Sequence, residues 1–379
     1  MLSLGDVADA EWDAVAAAGG LYASHAWLSS IEAEPGARAG YLLARREGRL
    51  AGALPWYEVD LEYNPFYALS RHLDILGLDG AWTMAGARRG YRFELPGALS
   101  PDAAAVTDVL VDAALEEAAR RGERGLLFPF VTTSTAKLLW ERGAVVALDG
   151  AESSILTGGA PFDDYLATLP SKRRIAARHE YSTFLKAGYE LGVEKLADCC
   201  EEAAPLLGQL QRKYGHDAHD EGMLQYLAGQ LEVLGRYSIV FTARRAGKLI
   251  GFSLMYEFGD VLYARAVGFD YALMGKAFEY YALCYYVPIE YMHQKGLREL
   301  HLGMETYRAK VARGAVLSPL WSVALPGGPS PRPTVPPSDT SKWRLEYGPR
   351  AVTAEQWQPP WAVDWDTHGT AGDRNEGAR

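Results

Sequence analysis

Residues 41–58 read Tyr-Leu-Leu-Ala-Arg-Arg-Glu-Gly-Arg-Leu-Ala-Gly-Ala-Leu-Pro-Trp-Tyr-Glu, and residues 240–257 repeat the pattern as Val-Phe-Thr-Ala-Arg-Arg-Ala-Gly-Lys-Leu-Ile-Gly-Phe-Ser-Leu-Met-Tyr-Glu. Each copy predicts a strand ending in Ala-Arg-Arg, a tight turn at Gly48 or Gly247, and a second apolar strand, which together form a β-hairpin. From the Ala-Arg-Arg onward the two copies align without a gap. A hairpin duplicated at this spacing indicates two copies of one domain in tandem.

Length and composition predict a folded protein that stays outside membranes. A chain of 379 residues leaves room for two ordinary domains and a tail, and 49% hydrophobic content can bury a sizeable core. No uninterrupted apolar run approaches the roughly 18–20 residues that cross a bilayer, and residues 1–13 lack a basic, apolar export signal. The three cysteines show neither metal-ligand spacing nor an even count, so we expect a reducing cytoplasm and no metal.

The net charge of -10 argues against general coating of nucleic acid, and we expect no DNA partner. The basic residues are uneven, however, and crowd into residues 172–186 and 308–313. Such runs are usually solvated helix faces. Local charge of this kind is still compatible with contact to one strand end.

The order of elements is typical of a mixed α/β fold, because strands alternate with helices through mostly short connections. Besides the hairpins, periodicity predicts helices at 24–33, 102–121, 134–143, 161–169, 171–186, 199–213, 223–234 and 275–295, and strands at 125–130, 151–157, 260–268 and 297–302. Residues 63–96 predict a long functional loop.

The predicted domain boundaries follow these elements. The first domain covers residues 1–155 and the second covers 156–325. Residues 326–379 open with a run rich in Pro and Gly that has no apolar period, so we expect a mostly disordered tail. The alternative is that the tryptophans beyond this run, Trp343, Trp357, Trp361 and Trp365, pin the tail onto a groove.

Two stretches of the second half carry a family resemblance. The Ser-Lys-Arg-Arg-Ile-Ala-Ala-Arg of residues 171–178 resembles the basic helix that opens the second domain of Fem-type aminoacyltransferases. The run that includes 262–268, 278–291 and the Gly-Met-Glu-Thr-Tyr-Arg-Ala-Lys-Val-Ala-Arg-Gly of 303–314 resembles the C-terminal signature of the Fem-like, peptidoglycan-biosynthesis-like branch of the GNAT superfamily. The similarity covers residues 20–325 and is weaker in the first half.

The resemblance implies tandem GNAT-like domains, each a central mixed sheet flanked by helices. It also implies amide formation between an activated acyl donor and an amine. The branch includes enzymes that add amino acids from aminoacyl-tRNA to cell-wall precursors, and relatives that modify small antibiotic precursors in the same way.

One loop bears on the donor. Members that use acetyl-CoA carry Gln/Arg-x-x-Gly-x-Gly/Ala, whose backbone N–H groups hold the pyrophosphate at a helix N-terminus. The nearest segment here, Ala272-Leu-Met-Gly275-Lys-Ala277, keeps the last two elements and lacks the first. The incomplete loop favours the 3′ end of an aminoacyl-tRNA as donor over acetyl-CoA or another acyl-CoA, and we expect no bound cofactor.

Aminolysis of an ester needs positioning, a neutral amine and a hydrogen-bond donor for the oxyanion, and it needs no covalent nucleophile. The sequence contains no Gly-x-Ser-x-Gly, no His-Glu-x-x-His and no complete phosphate-binding loop. A backbone N–H near residues 263–268 could polarise the carbonyl.

Three residues are predicted to be catalytic. Lys310, in a predicted loop, could bind a phosphate or steady the oxyanion. Arg265 lies in an apolar strand, where a charge must be paired or face a cavity. Glu305 could take the proton of the amine if its pKa is raised.

Further residues are predicted to bind substrates. Those predicted to bind the acceptor are Glu279, Tyr263, Tyr307, Arg313, His216 and Tyr256. Those predicted to bind the donor's phosphates are Arg173, Arg174, Arg178 and Arg308. Glu279 could alternatively pair with Arg265, and the His-Asp-Ala-His-Asp-Glu of 216–221 is more typical of a solvated turn than of a metal site.

The sequence therefore predicts an aminoacyltransferase that acts in natural-product biosynthesis and moves an amino acid from aminoacyl-tRNA to a small-molecule or peptide-like amine. Two alternatives stay open within the same fold, an acyl-CoA N-acyltransferase and a cell-wall precursor aminoacyltransferase. A more remote alternative is a non-catalytic protein that recognises a glycan or peptide.

Overall fold

The computed structural model describes residues 3–34, 36–97, 102–328 and 338–362. The chain divides into two compact units. The first consists of Met1–Glu152 together with Leu317–Arg379, and the second consists of Ser153–Val316. The chain thus returns to the first unit after completing the second, which differs from the predicted division at 155 and 325.

The helices and strands alternate along the chain, as a mixed α/β fold requires. The helices are α1 (Asp9–Ala16), α2 (His25–Glu32), α3 (Leu69–Leu76), α4 (Ala103–Arg120), α5 (Thr133–Glu141), α6 (Phe162–Thr168), α7 (Ser171–Leu185), α8 (Leu196–Lys213), α9 (Asp220–Leu234), α10 (Glu279–Tyr281), α11 (Val287–Lys295), α12 (Tyr307–Val311), α13 (Ser341–Tyr347) and α14 (Ala354–Trp357). The strands are β1 (Ala37–Arg46), β2 (Arg49–Val59), β3 (Thr83–Ala85), β4 (Gly125–Val131), β5 (Val145–Leu156), β6 (Glu190–Glu194), β7 (Ser238–Arg245), β8 (Lys248–Phe258), β9 (Val261–Phe269), β10 (Glu299–His301) and β11 (Val316–Pro326).

The first unit holds strands in the order β1-β2-β3-β4-β11. All of these neighbours are antiparallel except β3 and β4, which run parallel. Its core lies between this sheet and helix α4, whose buried face includes Leu110 and Val111. The position of β11 explains why the last predicted domain boundary differs, because pairing between distant strands leaves no mark in local sequence.

The second unit holds strands in the order β5-β10-β9-β8-β7-β6, with β5 contributing its last residues. The pair β9 and β10 is parallel and the remaining neighbours are antiparallel. Buried side chains such as Phe241, Leu262 and Tyr286 form its core. Among the described residues no helix is long and apolar enough to span a membrane.

Both predicted hairpins are confirmed, and their turns have the same geometry. Glu47 and Gly48 have φ of 51° and 80°, and Ala246 and Gly247 have φ of 49° and 77°. Two successive left-handed residues define the two-residue turn that matches the twist of antiparallel strands.

The repeat extends to side-chain contacts. In each hairpin the strand register shifts directly before an arginine, Arg45 or Arg244. Each arginine then donates to the carbonyl of its own turn glycine, Gly48 or Gly247, at 3.1 Å. Two units of common design therefore make up the chain, as the duplicated sequence predicted.

The predicted loop at 63–96 is wrong, because the segment contains α3 and β3. Helix α3 buries His72, Leu73 and Leu76 and ends at Gly77, whose φ of 64° terminates the helix. Helix α3 has only about two turns, and its short apolar pattern was overlooked because glycines are frequent in the residues that follow it.

The expectation of a disordered tail is wrong for residues 338–362. Trp357 is fully buried and its indole N–H donates to the carbonyl of Leu317 at 3.0 Å. Trp361 packs edge-on against Trp321 with ring centroids 5.5 Å apart. Large apolar rings therefore fix the segment that follows the Pro-rich run, while residues 329–337 and 363–379 lie outside the described residues.

The helix predicted at 275–295 starts later than expected. Lys276 and Phe278 have left-handed φ of 55° and 65°, so regular helix begins only at Glu279. The segment Ala282–Tyr286 then forms a π-helical turn before α11. Such turns are rare and frequently lie at functional sites.

Candidate functional site

Lys310 lies on α12 rather than in the predicted loop, and only 4% of it is exposed. Its Nζ donates to the carbonyl of Met304 at 2.6 Å and to that of Gly303 at 3.2 Å. Glu305 and Thr306 have left-handed φ of 66° and 47°, and this reversal precedes α12. A buried ammonium group is thus held by two backbone carbonyls.

Burial lowers the pKa of Lys310 to about 7, because the apolar surroundings disfavour the charged form, although Glu305 and Cys284 favour it. Both protonation states are therefore populated near neutral pH, which suits proton transfer. Burial also raises the pKa of Cys284 to about 12, so this thiol stays protonated and is a poor nucleophile.

Lys310 is close to the point where two strands separate. Strand β9 pairs with β10 over residues 261–263. The last pair is Tyr263 with His301, where β10 ends. Beyond this pair, residues 264–269 have no partner strand on that side within the described chain. Gly303 and Met304 follow His301 after one intervening residue, and Lys310 donates to both of their carbonyls, so the lysine lies beside the open end of the sheet.

Arg265 occupies a bulge at this opening. On the other side of β9, Leu254 pairs with Ala266 and Met255 pairs with Ala264, which leaves Arg265 between two register positions. Bulges redirect side chains and are common beside active sites. Arg265 is half-buried and lies in the part of β9 that has no partner strand on the β10 side within the described chain.

Arg313 anchors α12 to its surroundings rather than projecting into open space. Its Nη2 donates to Glu180 Oε2 at 2.7 Å and its Nη1 donates to the carbonyl of Ala309 at 3.0 Å. The guanidinium carbon lies 3.3 Å from the ring centroid of Tyr281 and 5.3 Å from that of Tyr285. Stacking and a buried ion pair thus fix the chain three residues beyond Lys310.

The π-helical turn supplies the other half of this anchor. Its Tyr286 donates from the hydroxyl to Glu180, which also accepts from Arg313. Tyr165 donates to the carbonyl of Arg313 at 2.9 Å. Sequence reasoning missed Glu180, because a single carboxylate in the basic helix α7 carries no visible signal.

Glu279 is 2% exposed, and its carboxylate is engaged by the chain immediately before α10. Its Oε1 accepts from Gly275 N at 2.7 Å and from the hydroxyl of Tyr189 at 2.6 Å, and its Oε2 accepts from Ala277 N at 2.9 Å. In the structure this carboxylate therefore binds the chain's own backbone and a tyrosine hydroxyl. The predicted contact with an acceptor amine stays a prediction.

Two predicted acceptor-binding tyrosines lie in the core. Tyr256 is fully buried, and its hydroxyl donates to Gln230 Oε1 at 3.1 Å. Tyr263 is 2% exposed and packs with its ring 5.1 Å from that of His301. Tyr307, by contrast, is half-buried at the start of α12.

The remaining predicted residues lie at the surface. Arg173, Arg178, Arg308, Glu305 and His216 are exposed, and Arg174 is half-buried. Within the described part of the chain, no group of three or more His, Cys, Asp or Glu could hold a metal ion. Five of the predicted residues lie on or beside α12, namely Glu305, Tyr307, Arg308, Lys310 and Arg313. His216 lies elsewhere, between α8 and α9.

The basic face of α7 has weak internal partners. Arg178 Nη2 lies 3.3 Å from Asp163 Oδ1, with both side chains largely exposed. Arg174 donates to the carbonyl of Ala167 at 3.4 Å. Exposed ion pairs of this kind contribute little to stability, so these cations are available to an anionic ligand.

The fold is shared with several solved structures. FemX superimposes with a TM-score of 0.62 at 13% identity, over 84% of this chain and 96% of that one. A conserved protein of unknown function from Bacteroides thetaiotaomicron VPI-5482 gives 0.54 at 14% identity, over 85% and 98%. A tandem GNAT protein from the clavulanic acid biosynthesis pathway gives 0.50 at 16% identity, over 87% and 98%.

These likenesses define the class as a tandem GNAT fold. The family model for FemAB-like proteins, described as peptidoglycan biosynthesis/recognition, matches residues 87–327. That match spans more than half of the chain, and the chain belongs to the FemAB-like family. It is a transferase of the Fem and GNAT kind, for acyl or aminoacyl groups. No curated protein matches it in sequence.

Proposed function

We propose that this chain transfers an amino acid from the 3′ end of an aminoacyl-tRNA to the amine of a small-molecule or peptide-like acceptor. The observation that carries the proposal is the buried Lys310, held on two carbonyls beside the open end of β9. Family membership supports the reaction class. The proposed setting is the cytoplasm, within natural-product biosynthesis, and the chemistry needs no cofactor.

The reaction forms one bond and breaks another at the ester carbonyl. The amine nitrogen attacks the carbonyl carbon, and the bond from that carbon to the ribose oxygen of the tRNA breaks. The amine loses a proton, and the leaving ribose oxygen gains one. Negative charge builds on the carbonyl oxygen in between, so a nearby donor lowers the barrier.

Lys310 has the properties of such a donor. Two of its three ammonium hydrogens are committed to Met304 and Gly303, which leaves one for the oxyanion. Because burial brings its pKa to about 7, the same ammonium can release a proton to the leaving ribose oxygen near neutral pH. Glu305, exposed at the preceding reversal, is the proposed acceptor of the amine proton.

The donor's phosphates need cations that are free to move toward them. Arg173, Arg178 and Arg308 are exposed, and a guanidinium can hold a phosphate through two parallel hydrogen bonds. Because the net charge of the chain is -10, such local clusters rather than the overall field must attract the tRNA end.

The test is amide formation from charged tRNA. Purified protein is incubated with tRNA carrying a labelled amino acid and a panel of amines, and the product is identified by mass spectrometry. We expect the product with wild-type protein and with Lys295→Ala, which removes an exposed lysine. Lys310→Met should lower kcat by about a hundredfold, the loss typical of one oxyanion donor.

The opposite result is equally clear. Amide formation from acetyl-CoA, with no effect of charged tRNA, would replace this proposal by the acyl-CoA alternative. Product with a cell-wall precursor and with no other amine would assign the acceptor to the peptidoglycan-related class that the family description names.

A further inference from the structure

The segment from Gly275 to Phe278 has the backbone of an anion-binding loop. Lys276 and Phe278 are held in left-handed conformations with φ of 55° and 65°, which non-glycine residues rarely adopt. The N–H groups of Gly275 and Ala277 converge on one carboxylate. Backbone N–H groups that converge in this way form a concavity that suits an anion.

The anion in that concavity belongs to the chain itself. Glu279 accepts from Gly275 N at 2.7 Å through one oxygen and from Ala277 N at 2.9 Å through the other. Carboxylate oxygens and phosphate oxygens accept the same charge-assisted hydrogen bonds. The side chain therefore occupies the position that a ligand's phosphate would need.

Neighbouring groups hold Glu279 in place. The hydroxyl of Tyr189 donates to Oε1 at 2.6 Å, and Arg245 covers the ring of Tyr189 with its guanidinium 4.5 Å from the centroid. Even one added carbon at Gly275 would lie 3.1 Å from the tyrosine oxygen and 3.3 Å from both Arg245 Nη2 and Glu279 Oε1. The concavity is thus filled.

A diphosphate could enter only if this carboxylate left. Glu279 would then lose three hydrogen bonds while only 2% exposed, and an unpaired buried charge is costly. If Glu279 stayed, the diphosphate would face a like charge at hydrogen-bond distance, which is repulsive.

We infer that Glu279 is a specificity-determining residue that closes the Gly275–Ala277 loop of the second unit to the diphosphate of an acyl-CoA. The inference deepens the proposed function and rests on it, since it explains why the donor is an ester without a diphosphate. Glu279 acts by filling a site, so it need not touch the reacting atoms.

The test compares anion binding by the wild type and by Glu279→Ala. Inorganic diphosphate and CoA are titrated by calorimetry, and the melting temperature is followed in parallel. Glu290→Ala is the matched control, because Glu290 also accepts a tyrosine hydroxyl, from Tyr181 at 2.6 Å, without holding this loop.

We expect neither ligand to bind the wild type or the control at this loop. Glu279→Ala should bind diphosphate at least about tenfold more tightly than any residual binding measured for the wild type, the gain expected from the charge-assisted bonds of two freed N–H groups. Diphosphate should also raise its melting temperature. If that variant does not fold, Glu279→Ser decides, because its short polar side chain also vacates the position of the carboxylate, and diphosphate should likewise raise its melting temperature.

Failure of diphosphate to bind or stabilise the substituted protein would overturn the inference. So would protection of residues 275–277 from hydrogen exchange by CoA in the wild type. Both readouts are binding measurements, so they are separate from the aminoacyl-tRNA assay. A chain that closes this loop yet makes no amide from charged tRNA would refute the proposed function alone.

Discussion

Lys310 donates to the carbonyl oxygen of Met304 at 2.6 Å, although the lysine is almost completely buried. The bond stabilises the ammonium form, while burial opposes it more strongly and brings the pKa to about 7. In the unfolded chain the same lysine has its ordinary pKa of 10.5. Folding therefore shifts the proton affinity of this group, and stability must depend on pH.

The direction of that dependence follows from proton counts. Between pH 7 and 10.5 the unfolded chain holds a proton that the folded Lys310 has released, so the free energy of unfolding rises with pH across this window. Below pH 7 both the folded and the unfolded state hold the proton, so burial of the charged lysine lowers the free energy of unfolding by its full amount. We expect Lys310→Met to lack this rise.

Urea unfolding at pH 6, 7, 8 and 9 checks the effect. The difference in free energy of unfolding between wild type and Lys310→Met should shift in favour of the wild type as pH rises from about 7. Lys295→Ala should track the wild type at every pH. Parallel curves for wild type and Lys310→Met would contradict burial as the cause.

The ion pair between Arg313 and Glu180 should matter to both stability and activity. Both side chains are largely buried, and removing one partner of such a pair costs about 3–5 kcal/mol, because the other charge stays buried. Arg313→Met should lose about this much in urea unfolding. It should also lower kcat more than it raises KM, since it releases the segment that carries Lys310.

A matched control lies on the same helix as Glu180. Arg178 pairs with Asp163 at 3.3 Å with both side chains largely exposed, so Arg178→Met should change stability by less than about 1 kcal/mol. If Arg313→Met and Arg178→Met lowered the free energy of unfolding equally, the buried ion pair would contribute no more to stability than the exposed one. If Arg178 also binds the donor, its variant should raise KM for charged tRNA while leaving stability intact.

The sequence predicted the fold more fully than the site, and the reason is visible in particular residues. Gly48 and Gly247 mark turns whose chemistry is local, so the duplicated hairpins were readable. The end of β10 at His301 depends on its pairing with β9 and with β5, which lie far from it in the chain. Local sequence carries no record of such pairing.

The burial and the partners of the candidate side chains were also not predictable from the sequence. Lys310 follows a polar stretch that is typical of a loop, and its burial becomes visible only in the folded structure, where it donates to the carbonyls of Gly303 and Met304. Glu279 was recognised as a functional candidate, but its partners are the N–H groups of Gly275 and Ala277. Backbone partners of this kind are invisible until the chain's dihedral angles are known.

Asp149 in the first unit forms a second buried network that predicts acid sensitivity. Its carboxylate accepts from Arg71 at 2.6 Å and from Ser322 at 2.5 Å, and lies 2.7 Å from His72 Nδ1. Burial raises the pKa of Asp149, but hydrogen bonds and charges from His72 and Arg71 outweigh burial and hold it below its ordinary value.

A lowered folded pKa means stability that is present at neutral pH and lost in acid. The contribution of Asp149 is complete above its unfolded value of 3.8 and disappears as pH falls through the folded value. Asp149→Asn should cost about 3 kcal/mol or more at pH 7, measured by urea unfolding. The deficit should shrink below pH 4, and Asp79→Asn, which alters an exposed carboxylate, should show neither effect.

The turn glycines provide the last prediction, because they test whether the two hairpins are physically equivalent. Gly48 and Gly247 have φ of 80° and 77°, and no atom lies within 4 Å of a Cβ built on either. Substitution by Ala therefore meets no clash, and its cost comes only from the left-handed backbone, about 1–2 kcal/mol. Gly229 lies inside α9 with equal space and no positive φ, so Gly229→Ala should instead stabilise by up to about 1 kcal/mol. Urea unfolding of the three variants should give two similar losses and one gain, whereas unequal losses at the two turns would mean that the copies have diverged in the energetics of their hairpins.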